Sequence, residues 1–190
     1  MKATPTFALL LALALGGCTA GYVQNSEADV ALYINAINGG QVLDSDVRTG
    51  TSGNTVTADR VTVSLANRSK NPNVTELQVA RAIDVERYTV RYFRSDGRNA
   101  EGVDVPFQIS GFVRSALDIG ANEDVEVEVV RAQAKLDPPL TNLKGVVNGA
   151  LGGSSLLLTC FAEITIYGHT TSGKAVSASS SMQIDFADFP

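Results

Sequence analysis

The amino-acid sequence predicts an all-β domain, a single antiparallel sandwich of two sheets. Along most of the chain, hydrophobic residues alternate with polar ones in short segments, and turns rich in Gly, Asn, Asp and Ser separate those segments. Only the stretch at 140–151 has hydrophobic residues at helical spacing. Alternation with a period of two places one face of each strand in a core and the other face in solvent. About seven to nine such strands, with little helix, are typical of a β-sandwich.

Residues 1–17 have the pattern of an export signal. Lys2 supplies a short positive region, and Phe7–Leu15 is an unbroken run of Phe, Ala and Leu. That run is shorter than the roughly 20 residues that a membrane-spanning helix needs, so it is typical of a signal peptide. The sequence therefore predicts a signal peptide over 1–17, a lipidated N-terminus and tether over 18–29, and the β domain over 30–190.

The export signal ends in Leu15-Gly16-Gly17-Cys18, which resembles the lipobox of bacterial lipoproteins. The resemblance implies cleavage between Gly17 and Cys18, diacylglycerol on the Cys18 sulfur and acylation of the new N-terminus. Two or more acyl chains anchor a protein firmly to a membrane. Thr19 stands where similar lipoproteins of the inner membrane carry Asp, so the outer membrane is favoured where the host has one. Ordinary secretion with cleavage nearby is the alternative.

Segments with alternating or continuous hydrophobic residues are the predicted strands. In chain order they cover residues 30–36, 42–47, 61–66, 84–94, 105–109, 113–119, 125–136, 156–167 and 176–186. Turns or loops are predicted between them at 48–54, 67–73, 95–102, 120–122 and 168–173. A short helix is the alternative for the first segment. Pro106 indicates a strand start or a sheet edge.

Two segments depart from simple alternation. Val125, Val127 and Val129 share one face, but from Val130 onward the hydrophobic residues move to the other register. A strand that changes phase needs one extra residue, so a β-bulge is predicted at Val129/Val130. The helical spacing over 140–151, between a Pro-Pro and a Gly-Gly pair, predicts one short helix or a packed loop.

The order of turns, with a closing hairpin at the C-terminus, looks like the immunoglobulin-like group of sandwiches. The Cys–Trp–Cys spacing of antibody domains is absent, because the chain has no Trp. The resemblance is therefore one of architecture. The run at 91–99, Arg-Tyr-Phe-Arg-Ser-Asp-Gly-Arg-Asn, also resembles uncharacterised bacterial lipoproteins, and this likeness implies no function.

The inventory of reactive groups argues against an enzyme. The chain has one histidine, His169, which is predicted in a hairpin loop without a nucleophile motif. With Cys18 acylated, Cys160 is a lone thiol in an apolar strand, where we expect it to be buried and inert. One histidine and one thiol cannot build a zinc site of the usual kinds. A hydrolase that uses His169 is the enzymatic alternative.

One loop concentrates oxygen ligands. Asp96, Asn99, Glu101 and Asp104 lie close together between two predicted strands. Calcium prefers such ligands, so these four residues are a candidate calcium site, and no other cofactor is expected. Asp and Asn also favour turns through hydrogen bonds to their own backbone, so a plain turn is the alternative.

A row of arginines is the main feature of the predicted polar faces. Arg87, Arg91 and Arg94 project along one strand, with Arg114 or Arg131 expected nearby. They form either a docking face for an acidic partner or, if the two strands are neighbours, cross-strand pairs with the glutamates at 126 and 128. The net charge of −5 argues against nucleic acid as a partner.

Together these features predict a lipid-anchored protein of the cell envelope. It would act without catalysis, as a binding or structural module for another envelope or extracellular protein. The alternative is an accessory sandwich that binds calcium or a glycan. Glycan binding needs exposed aromatic rings, and Phe112, Phe161 and Tyr167 are the candidates, because Tyr88 and Tyr92 fall on the predicted core face.

Overall fold

In a computed structural model, the part of the protein that is described is mostly β, as expected. The residues that the structure describes are 28–48, 55–71, 81–144, 146–147, 150–151 and 156–189. The strands in this part of the chain are β1 (Val30–Ile37), β2 (Leu43–Asp46), β3 (Asp59–Ser69), β4 (Ile83–Phe93), β5 (Ile109–Leu117), β6 (Asn122–Val130), β7 (Val146–Val147), β8 (Ala150–Leu151), β9 (Leu157–Thr170) and β10 (Ala175–Ala187). Short 3₁₀ helices are the only helices that are assigned there.

Two main sheets account for eight of the strands. The smaller sheet has the order β1-β3-β6, and the larger has the order β2-β10-β9-β4-β5. Neighbouring strands are antiparallel except for β2, which runs parallel to β10. The strand with the most continuous hydrophobic run, β9, lies at the centre of the larger sheet, as its sequence predicted. A separate ribbon pairs β7 with β8.

The inner faces of the two sheets contribute to one cluster of buried hydrophobic side chains. Val61, Val63 and Leu65 of β3 and Ile164 and Ile166 of β9 are all at most 3% exposed. Each side chain of this size gains about 1.5–3 kcal/mol from burial, so the alternating pattern is the main source of stability. The period-two pattern correctly predicted which face of these strands is buried.

The bulge that the sequence predicted is present in β6. Asp59 of β3 pairs with Val130, and the next residue, Arg60, pairs with Glu128, so Val129 has no opposite residue. The extra residue keeps both Val129 and Val130 in the core, where each is 0% exposed. It also interrupts the regular hydrogen-bond ladder between β3 and β6.

Two tyrosines of the larger sheet bind the β6 backbone beside the bulge. The Tyr92 hydroxyl donates to the carbonyl oxygen of Val129, and the Tyr88 hydroxyl accepts from the N–H of Glu128 at 3.2 Å. A Cβ on Gly111 would lie 2.4 Å from the Tyr88 ring, so a glycine in β5 makes room for that ring. Burial raises the pKa of Tyr92, which keeps its hydroxyl a donor. The tyrosines thus link the two sheets.

The predicted continuation of the sixth strand through residue 136 is wrong. β6 ends at Val130, and Ala132–Leu136 forms a 3₁₀ helix. This helix buries Lys135, which is 1% exposed, and leaves Leu136 48% exposed. The Lys135 ammonium lies 2.9 Å from the carboxylate of Asp59. A buried ammonium needs such a partner, and hydrophobic periodicity cannot reveal it.

Two further segments differ from expectation. The stretch at 140–151 contains a helix of only four residues, the 3₁₀ helix Leu140–Leu143, and is then completed by the β7–β8 ribbon. The strand predicted over 105–109 is absent, because Val105 is buried in a loop while Phe107 is 59% exposed. β5 instead runs continuously across the break predicted between residues 109 and 113.

The turn was predicted to begin at residue 67, but β3 continues past that residue to Ser69. Asn67 lies within β3 and is 0% exposed. Its side-chain amide donates to the carbonyl oxygens of Arg81 at 2.9 Å and of Leu117 at 3.0 Å. Asn is a frequent turn residue, but here its donors satisfy two distant backbone carbonyls inside the protein.

The predicted signal peptide, Cys18 and most of the predicted tether lie outside the described residues, as do the loop at 49–54 and part of the turn at 67–73. Among the helices that the structure does describe, none has the length and apolar character needed to cross a membrane.

The tyrosine links predict a measurable loss of stability. Replacing Tyr92 by Phe leaves the buried carbonyl of Val129 without its donor, which should lower the free energy of unfolding by about 1–3 kcal/mol. Urea unfolding followed by far-UV circular dichroism measures this loss of unfolding free energy. Tyr167→Phe is the matched control, because the Tyr167 hydroxyl has only a 3.5 Å contact, with Thr89. Equal stability of the two variants would contradict the role of Tyr92.

Candidate functional site

An open cleft lies on the outer face of the larger sheet, where β4 contains a second bulge. Val85 pairs with Gly168 and Arg87 with Tyr167 on β9, so Glu86 has no opposite residue. Glu86 and Arg87 are both exposed as a result, whereas regular alternation would bury one of them. The cleft has a volume of about 670 Å³, and its charged and aromatic lining residues are Asp84, Glu86, Arg87, Phe112, Arg114 and His169.

The two carboxylates of the cleft face its histidine. Nδ1 of His169 lies 3.2 Å from the Glu86 carboxylate, and Nε2 lies 3.9 Å from that of Asp84. The prediction that His169 lies in a hairpin loop is wrong, because β9 continues to Thr170. Gly168 suggested a turn, but a Cβ there would lie 2.4 Å from the Asp84 carbonyl oxygen. That glycine permits close approach of two strands.

The arginines of the cleft form no ion pair with a carboxylate in the part of the chain that the structure describes. The Arg87 guanidinium lies over the ring of Tyr167, 3.9 Å from its centroid. Arg114 is exposed, and neither Arg87 nor Arg114 forms an ion pair with any residue in the described ranges. The two carboxylates lie beside His169, and the arginines are the charged side chains of the cleft that form no ion pair within the described ranges.

Phe112 forms one rim of the cleft and is 91% exposed. It lies opposite Arg87 in the β4–β5 pairing. Phe161, also on the outer face, stacks on Phe93 with ring centroids 5.5 Å apart. The expectation that Tyr88 and Tyr92 point into the core is confirmed, since both are buried.

The other predicted arginine contacts are only partly found. Arg91 pairs with Glu163 at 2.9 Å across β4 and β9. The pairs predicted with the glutamates at 126 and 128 do not form, because β6 belongs to the smaller sheet. Glu128 instead lies 3.8 Å from Arg60 and 3.7 Å from Arg131. Alternation indicates the face of a side chain but not which strand is its neighbour.

The candidate calcium residues bind donors within their own loop. The Asp96 carboxylate lies 2.7 Å from Arg94 and 2.9 Å from Arg98, and the hydrogen bond from Arg94 holds the pKa of Asp96 well below its usual range. Asn99 accepts from the Arg94 backbone N–H at 2.7 Å. Asp104 accepts from a neighbouring backbone N–H at 3.2 Å.

The fourth candidate, Glu101, is exposed and forms an isolated bridge with Val105. In the part of the chain that the structure describes, no cluster of three or more His, Cys, Asp or Glu side chains could hold a metal ion. The contacts of Asp96, Asn99 and Asp104 explain the loop as a turn. Calcium binding stays a prediction.

Cys160 is a buried free thiol, as expected from its apolar strand. It is 0% exposed, and burial raises its pKa to about 11. A nucleophilic cysteine needs a lowered pKa and access to solvent. Cys160 therefore has the properties of a core residue.

No protein-family model matches the sequence, and neither the curated proteins nor the solved structures give a significant match. In the cleft, two arginines that form no ion pair with described residues lie beside an exposed aromatic ring. Sequence reasoning identified Arg87 and Phe112 one at a time. It missed Asp84 and Glu86. The signal that could have found them is the two-residue gap between Val85 and Tyr88, where the hydrophobic residues change phase as they do at Val129/Val130.

The burial and the raised pKa of Cys160 predict that its thiol reacts slowly in the folded protein. At pH 8 its thiolate fraction should be lower by about two orders of magnitude than that of an ordinary thiol with a pKa of about 8.5. Native protein should therefore resist iodoacetamide and react only after unfolding in urea. A Cys160→Ser/Ser179→Cys chain is the control, because Ser179 is exposed on the neighbouring strand. Rapid alkylation of native Cys160 would contradict its burial.

Proposed function

We propose that this chain is a lipid-anchored lipoprotein of the bacterial cell envelope, with the outer membrane favoured. Its domain is an immunoglobulin-like β-sandwich that binds another envelope or extracellular protein and catalyses no reaction. The lipobox pattern at residues 15–18 supports the anchor. Two antiparallel-rich sheets that share one hydrophobic core support the sandwich.

The cleft on the larger sheet is the observation that carries the binding function. Protein interfaces are enriched in arginine and aromatic residues, which dominate their binding energy. Arg87 lies over Tyr167 and forms no ion pair with any described residue, while Phe112 is 91% exposed at the rim. The cleft therefore suits a protein that presents a carboxylate next to an apolar side chain. The carboxylate would bind Arg87, and the apolar group would cover Phe112.

A glycan is the second candidate ligand for the same cleft. Phe112 offers an exposed ring face, and the carboxylates of Asp84 and Glu86 can accept hydrogen bonds from sugar hydroxyls. Neutral glycan binding would depend on the ring and the carboxylates, and not on the charge of Arg87. The two ligand classes therefore respond differently to substitution at Arg87.

The anchor is tested by metabolic labelling with an alkyne fatty acid. Wild-type chain should take up label and stay with membranes, and Cys18→Ala should do neither, because the thiol that receives diacylglycerol is missing. Protease treatment of intact and disrupted cells then shows which side of the envelope the labelled protein faces. An unlabelled wild-type chain would rule out the anchor.

The docking site is tested by crosslinking in intact cells followed by purification in detergent. Arg87→Glu reverses the charge that receives the partner's carboxylate, and it should weaken capture of the crosslinked protein by about tenfold or more. Arg91→Glu is the matched control on the same strand and face, because Arg91 already pairs with Glu163.

Loss of capture with Arg87→Glu alone would support the site. Equal capture by both variants would overturn it, as would equal loss. Capture that resists Arg87→Glu but is lost on Phe112→Ala and competed by neutral oligosaccharides would assign the cleft to a glycan.

A further inference from the structure

The ends of β1, β3, β4 and β9 meet at one end of the molecule. Val30 at the start of β1 pairs with Ser69 at the end of β3, and Ile83 at the start of β4 pairs with Thr170 at the end of β9. The described structure also begins here, at Ala28. We call this the entry end, because the predicted tether joins the domain at this point.

Contacts between the two sheets place these strand ends side by side. The ammonium of Lys174, in the turn between β9 and β10, lies 4.0 Å from the carboxylate of Asp29. The side-chain amide of Asn67, near the end of β3, donates to the carbonyl oxygen of Leu117 at the end of β5 at 3.0 Å. Both sheets therefore share the entry end.

The cleft is built near the entry end. Arg87 pairs with Tyr167, which is three residues from Thr170 along β9 and thus about 10 Å from the entry end at about 3.4 Å per residue. Leu157, at the other end of β9, is thirteen residues and thus about 44 Å from Thr170. We call the end at Leu157 the far end.

The proposed anchor determines which end faces the membrane. Cys18 and Ala28 are ten residues apart, so they are separated by at most about 36 Å, whatever the conformation between them. This distance is shorter than the roughly 44 Å from one end of β9 to the other. With acyl chains on Cys18, the domain cannot rest its far end on the bilayer while its entry end points away. The cleft therefore stays on the side of the domain nearer the membrane.

We propose that the protein bound by the cleft belongs to the same membrane that holds the anchor. Its carboxylate would lie within about 45 Å of the bilayer, the sum of the longest tether and the depth of Arg87. This inference rests on the proposed function and narrows its partner to a membrane protein. A soluble extracellular protein would have to approach the side of the domain that faces the bilayer.

The charges at the entry end favour a protein over the lipid surface itself. Attraction to an anionic bilayer needs a cluster of basic residues. The two arginines of the cleft are matched in number by Asp84 and Glu86, and Asp29 is also exposed at this end. A single carboxylate can contact Arg87 directly, whereas a negatively charged surface would also meet these acidic groups.

The orientation is tested with full-length, lipidated protein in proteoliposomes that contain an acceptor-labelled lipid. In a Cys160→Ser background, a donor dye is attached to Ala116→Cys in the cleft or to Leu157→Cys at the far end, and both positions are exposed. Energy transfer to the bilayer should be about twofold or more stronger from residue 116, because the positions differ by about 40 Å along the domain. Equal transfer from both, or stronger transfer from residue 157, would overturn the inference.

The partner is tested by inserting 60 Gly and Ser residues directly after Glu27. A long flexible tether lets the cleft leave the bilayer, so capture by formaldehyde crosslinking in intact cells should weaken by about threefold or more. The same insertion after Pro190 is the matched control, because it leaves the tether unchanged. In cells that lack this chain, the captured protein should still sediment with the membranes.

The outcomes separate this inference from the docking proposal. Weaker capture with the N-terminal insertion alone would support a membrane partner. Capture that is lost with Arg87→Glu but unchanged by the N-terminal insertion would keep the docking site and overturn this inference, as would equal loss with both insertions or a captured protein that stays soluble. Capture that resists Arg87→Glu would refute the docking proposal, and this inference with it.

Discussion

The contact between the two sheets depends on two backbone groups of β6, the carbonyl of Val129 and the N–H of Glu128. Both lie at the bulge that interrupts the hydrogen-bond ladder between β3 and β6. The extra residue Val129 keeps two valines in the core but interrupts pairing with β3. A buried carbonyl or N–H without a partner costs about 1–3 kcal/mol, so the bulge is tolerated only if another element supplies the bonds. Tyr92 and Tyr88 of β4 supply them. The same contacts therefore satisfy β6 and fix the larger sheet against the smaller one.

A second bulge explains why the cleft exists. In a regular strand Glu86 and Arg87 would point to opposite faces, and one of them would be buried as a charge. The irregular register in β4 lets both face solvent, beside Asp84 and His169. The carboxylates then face the histidine, and Arg87 packs on Tyr167. Charge separation within the cleft is thus a consequence of backbone geometry, without any unusual residue.

Local periodicity predicted the features that depend on local residues. The core faces of β3, β4 and β9 and the bulge at Val129 follow from the order of hydrophobic residues alone. Errors occurred where a distant partner decides the outcome. Asn67 is buried because two remote carbonyls accept its amide, Lys135 because Asp59 binds it, and Gly168 is needed for strand contact. The cleft was missed for two reasons: the phase change between Val85 and Tyr88 was not recognised as a bulge, and alternation does not determine which strands are neighbours.

The cleft has a physical relation to the proposed anchor. The chain would carry its lipid at Cys18, followed by a tether of about a dozen residues, so the cleft would stay close to one membrane surface. Confinement raises the effective concentration of an envelope partner on that surface, and a weak contact at Arg87 then suffices for capture. The shallow, open form of the cleft is consistent with such weak binding.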